Sequence, residues 1–217
     1  MTYSPSDTAI LLVDPYNDFI SEGGKAWPMI KAIAEENDLL PHLREVIATA
    51  RAKGFKIFFV PHHRFEGGDF DGWQYPSPYQ RQAAGMMVFE KDTWGGTFHD
   101  DFMPQKGDVV IKEHWSSGFA NTDLDVQLRQ HGVSKIVLIG LIANTCLEAT
   151  GRYGSELGYH VTLVKDATAA FNHEAMHAAH AINGPTYAHE ILSTEELVAR
   201  LSMASTPCYG LRERSPS

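Results

Sequence analysis

Cysteine is scarce in this chain: two residues, Cys146 and Cys208, in 217. One distant pair is no disulfide framework, and the reading it leaves is a reduced, cytoplasmic protein with free thiols. Basic residues are in deficit too, with 18 Lys and Arg against 27 Asp and Glu and a formal net charge of −9. Nucleic acid and anionic membrane surfaces both need the opposite sign, so neither is an expected partner. Long apolar runs are also missing. The opening "MTYSPSDTAILLVDPYNDF" has no basic n-region and only a few consecutive apolar residues, so it reads as neither signal peptide nor membrane span. No internal repeat or linker divides the chain. The expectation is a single domain over 1–217, long enough for a sizeable core.

What is present is an alternation of short apolar runs with helical patterns. "AILLVD" (9–14), "FKIFFV" (55–60), "DVVIKE" (108–113), "KIVLIG" (135–140), "HVTLVKD" (160–166) and "AHEILS" (188–193) read as strands. Residues 36–54, 121–132, 145–158, 173–183 and 194–202 read as helices, with Gly54 and Gly158 as stops. Near-continuous apolar strands alternating with helices predict a three-layer αβα fold with a six-stranded, mostly parallel sheet. Residues 65–107, rich in Gly, Pro and aromatic residues, are too long for an ordinary connection and read as an insertion, either a lid or an oligomer contact.

Parallel sheets of this kind bind ligands at the carboxyl ends of their strands. Three such ends carry a reactive group: Asp14 after "AILLV", Lys112 after "DVVI", and Cys146 opening a helix after "KIVLIGLIANT". A helix N-terminus favours thiolate, a nearby ammonium would favour it further, and a carboxylate could take the proton. A rival signal lies in "FNHEAMHAAH" (171–180), which contains H-E-x-x-H. His173, His177 and His180 share a helix face with Glu174 beside them, as in zinc peptidases, but the same spacing is shown by any amphipathic helix. No metzincin-type glycine and third histidine follow, so the expectation is no metal.

"LLVDPYNDF", "GDVVIKEHWSSGFANTDLD" and "LIGLIANTCLEATGRYGSELGYHVTLVKDATAA" together resemble the isochorismatase-like cysteine hydrolases, from about Thr8 to Leu201. This superfamily includes nicotinamidases, N-carbamoylsarcosine amidohydrolase and ureidoacrylate amidohydrolase. The resemblance implies a catalytic Asp14, Lys112 and Cys146, and a cis peptide at Leu141–Ile142. It implies an oxyanion hole from the Ile142 and Cys146 amides, no cofactor, and a homodimer or homotetramer acting on a small-molecule amide. The implied reaction is amide or ureido hydrolysis through a thioester; vinyl-ether hydrolysis, as in isochorismatase proper, does not use a thiol nucleophile. Where nicotinamidases carry Asp-x-His metal ligands, this chain has Pro61 and His63. Proline cannot ligate, so His62, His63 and Arg64 are expected instead to line the pocket and bind a polar or anionic substrate, with Phe19 and Trp115 as further wall candidates. A metal-assisted nicotinamidase and a catalytically degenerate interaction protein are the alternatives.

Overall fold

The computed structural model describes residues 2–204; Cys208 lies outside them. β1 (Thr8–Val13) is followed by a helical turn α1 (Asn17–Ile20), then α2 (Trp27–Glu36), α3 (Leu39–Ala52) and β2 (Lys56–Val60). α4 (Pro78–Gly85) and two 3-10 turns, Trp94–Gly96 and Asp100–Phe102, lie in the long segment before β3 (Val109–Val110). Next come α5 (Leu124–Gln130), β4 (Lys135–Leu141), a π-helical turn (Ala143–Leu147), α6 (Glu148–Glu156) and β5 (His160–Ala169). α7 (His173–His177), a second π-helical turn (Ala178–Asn183), β6 (Glu190–Leu192) and α8 (Thr194–Ser202) complete the order.

The strands form one six-stranded sheet, β3-β2-β1-β4-β5-β6, and every ladder is parallel. β1 is buried along its whole length because both faces are covered. Ile10 and Leu12 enter a core shared with Ile30 of α2, Leu43 and Val46 of α3, and Leu197 and Leu201 of α8. Ala9, Leu11 and Val13 enter the opposite core with Leu124 and Leu128 of α5 and Leu147. Helices therefore cover both faces, which gives the expected three layers. α3 shows why such a sequence folds this way: its buried Leu39, Leu43, Val46, Ile47 and Ala50 fall at helical spacing on one stripe.

From β1 the chain runs outward to β2 and β3, then returns to the other side of β1 for β4. The strand order reverses between β1 and β4, and a crevice opens there beyond their carboxyl ends. The third strand is only two residues long, and the helix expected over 145–158 begins as a π-helical turn.

Candidate active site

Asp14 leaves β1 at φ +53 and is fully buried, its N–H bonded to the Val60 carbonyl at 3.2 Å. On the adjoining strand Gly140 has φ +105, and a Cβ there would stand 2.2 Å from the Val13 carbonyl oxygen. Only glycine allows β4 to approach the end of β1 this closely. The Leu141–Ile142 peptide is cis, and the π-helical turn that follows carries Cys146 back over the strand ends.

The third group is not Lys112. β3 pairs as Phe58↔Val109 and Phe59↔Val110, but the bridge beyond it joins His62 to His114. That spacing leaves one extra residue on the β3 side, and a one-residue slip reverses which side chains face the core. Lys112 is exposed, with its backbone N–H held by Asp123 Oδ1 at 2.8 Å. His114 points inward instead, fully buried, with Nε2 3.1 Å from Asp14 Oδ1. Asp14, His114 and Cys146 bring their reactive atoms within 4.8 Å of one another.

A carboxylate only accepts, so the His114 Nε2 carries the hydrogen of that bond. Asp14 Oδ2 is buried with no N–H or O–H partner, which leaves it open to the thiol. Burial pushes the Cys146 thiol well above its ordinary range, and the Asp14 charge and its acceptance of the thiol hydrogen push the same way. The Ile142 N–H, directed at the sulfur, opposes this. The expected low-pKa thiolate is thus replaced by a resting thiol, because the sulfur is buried and its neighbour is an anion, not an ammonium. Among the described residues, this is also the one group of His, Cys and carboxylate donors compact enough for a metal ion, and one N, one O and one S donor are types zinc accepts.

A cavity of about 300 Å³ opens over the thiol. Of the expected wall residues it is lined by Phe19 and His62, but not by His63, Arg64 or Trp115. His63 Nε2 lies 3.0 Å from Asp69 Oδ1 and its Nδ1 3.5 Å from Glu113 Oε2. Its ring stacks on Trp115 at 4.1 Å, and Arg64 Nε bonds Glu113 Oε1 at 2.6 Å. All three lie outside the cavity, His63 and Trp115 stacked on each other and Arg64 held by Glu113. Tyr79 and Gln82 of α4, with Met86, Val88 and Phe89 just after it, form a wall that the sequence reading did not resolve residue by residue. The signal was present in "SPYQ": Ser77 caps the helix through its hydroxyl, and Pro78 takes the first turn.

The H-E-x-x-H motif lies elsewhere. α7 spans only His173–His177, and His173, Glu174 and His177 are exposed. His173 Nε2 sits 2.8 Å from Glu36 Oε2, and His180 Nδ1 3.1 Å from the Met176 carbonyl.

Residues 8–196 match the Isochorismatase domain, and the chain belongs to that family of hydrolases. A curated relative, the ureidoacrylate amidohydrolase RutB of Rhizobium rhizogenes, is 26% identical over 219 residues, covering 94% of this chain and 87% of its own. The N-carbamoylsarcosine amidase of Thermoplasma acidophilum superposes with a TM-score of 0.61 at 25% identity, over 87% of this chain and 97% of that one. A cysteine hydrolase of Pseudomonas syringae pv. phaseolicola shares the fold more closely, with a TM-score of 0.81 at 23% identity over 94% and 97%.

Proposed function

We propose that this protein is a cysteine-dependent amidohydrolase that cleaves a small amide or ureido C–N bond through a thioester on Cys146. The observation that carries the reading is a buried thiol facing a cavity, beside a carboxylate whose other oxygen is already held by a histidine. The amidohydrolase activity named for the relatives supports it.

The residues divide the work as follows. Asp14 Oδ2 takes the thiol proton as Sγ attacks the substrate carbonyl carbon, so no free thiolate is needed at rest. His114 donates its Nε2–H to Asp14 Oδ1 throughout and orients the carboxylate. The carbonyl oxygen, gaining negative charge, is received by the Ile142 and Cys146 amides. The proton then passes from Asp14 to the substrate nitrogen, the C–N bond breaks, and ammonia or an amine leaves. Water attacks the thioester with Asp14 again as base, releasing the acid and restoring the thiol. Assembly as a homo-oligomer and a cytoplasmic location belong to the same reading.

The test is ammonia release across primary amides and ureido acids, with Cys146→Ser as control. The serine variant is expected to fold and to lose at least ~10²-fold in rate, because a hydroxyl is a far weaker nucleophile here. Full activity in that variant contradicts the proposal.

A further inference from the structure

The cavity above Cys146 contains no Lys, Arg, Asp or Glu in its lining. Its bulk is apolar, from Phe19, Met29, Met86, Val88, Phe89 and Phe171, with Phe19 edge-on to Phe89 at 4.6 Å. Nearby cations are already neutralised. Lys25 Nζ is held by the Met87 carbonyl at 2.7 Å and Glu90 Oε2 at 2.9 Å, and Arg64 by Glu113. Arg81, on the same helix as Tyr79 and Gln82, is exposed and not part of the lining.

The polar groups that do line the space are uncharged. Burial raises the Tyr79 phenol, so it presents an O–H. His62 Nδ1 lies 2.7 Å from the His63 carbonyl, which can only accept, so that nitrogen carries the hydrogen and Nε2 is left as an acceptor. Burial also lowers the His62 pKa to about 4, which keeps the ring neutral at physiological pH. The one fixed charge close by is the Asp14 carboxylate, and it repels anions.

We propose that this cavity selects an uncharged primary carboxamide with an apolar acyl group, with His62 Nε2 accepting from the amide N–H, and rejects amides bearing a carboxylate. The inference rests on the amidohydrolase reading above and narrows its substrate class. It also separates this chain from relatives named for ureidoacrylate, an anion. A carboxylate placed among these side chains would lose its water and meet no cation, only the uncharged Tyr79 O–H and Gln82 amide, and that penalty is what sets the selectivity.

The experiment compares kcat/KM for matched pairs: hexanamide against 6-amino-6-oxohexanoate, and benzamide against 4-carbamoylbenzoate. The neutral member is expected to be preferred by at least ~10²-fold. Met86→Arg, which places a guanidinium in the lining, is expected to raise the anionic-to-neutral ratio by at least ~10-fold. Equal use of both members, or preference for the anion, overturns the proposal. If the enzyme hydrolyses neither, calorimetry of the same pairs with Cys146→Ala separates the two claims. Binding of the neutral member alone sustains the selectivity and removes the amidohydrolase reading. Binding of neither, or of the anion as tightly, removes the selectivity.

Discussion

At the floor of the cavity, β1, β4 and the continuation of β3 bring three polar side chains within 4.8 Å, all of them buried. Across the cavity, the segment between β2 and β3 offers Ala83, Met86, Val88 and Phe89, with Tyr79 and Gln82 as its uncharged polar groups. The floor is fixed by sheet register and one glycine contact; the roof is a short capped helix and its trailing loop. The two are tied together at the motif after β1. Asp18 Oδ1 accepts the Lys25 N–H at 2.9 Å and Oδ2 the Phe89 N–H at 2.7 Å. Asn17 Nδ2 donates to the Trp94 carbonyl and to Thr97 Oγ1. Gly95 is required at this junction, since a Cβ there would meet the Asp18 carboxylate at 2.4 Å. On the proposed function, the floor would set which bond is broken and the roof which molecule is admitted.

The sharpest way to break this picture is at the floor. His114→Ala is expected to lower kcat by ~10²-fold or more, by releasing Asp14 Oδ1 and leaving the base unoriented. Lys112→Ala, two residues away, should change kcat by less than ~3-fold, since its side chain is exposed. Steady-state kinetics on the two variants decides between them, and the reverse ranking restores the lysine. A second test concerns His62, which touches both floor and roof. Its pKa falls from 6.5 to about 4 on folding through burial, so below pH 6.5 the unfolded chain binds a proton that the native one refuses. Stability is therefore retained above pH 6.5 and lost as pH falls toward 4, by ~3 kcal/mol if the linkage is complete. His160 and His180, also lowered by burial, add to the same trend. Urea melts of wild type and His62→Gln from pH 7 to 4 should show a shallower loss in the variant; parallel curves would contradict the buried neutral ring. The smallest effect expected is at the tether. Asp18→Asn sets an N–H₂ against a backbone N–H and should cost ~1–3 kcal/mol, with a raised KM and little change in kcat. Unchanged melting and KM would mean that the roof does not depend on the floor.

Much of the floor was legible in the sequence because sheet physics writes it there. Apolar runs of strand length ended at Asp14 and at Gly140, and a parallel sheet delivers such ends to one edge. Cys146 followed from its place after the fourth run. What misled was parity: Lys112 shares its strand phase with Val110, and Val110 is 49% exposed at the sheet edge. The slip between Val110 and His114 is set by pairing with β2, a non-local event with no local mark in "VVIKEHW". The roof was harder still. His62 and His63 are adjacent and chemically identical, yet one faces the cavity and the other is claimed by Asp69, Glu113 and Trp115. Of the groups expected to bind a polar or anionic substrate, His63 and Arg64 lie outside the cavity beside Asp69 and Glu113. H-E-x-x-H, the most literal motif in the chain, marked only an exposed helix start.

The central claim is that Cys146 becomes acylated with Asp14 as its base. Rapid acid quench of wild type turning over a primary amide, followed by intact-mass analysis and peptide mapping, tests it most directly. The account predicts a mass increase equal to the acyl group on the Cys146 peptide, absent from Asp14→Asn and Cys146→Ala. Turnover with no adduct on Cys146, persisting in Cys146→Ala, would contradict it.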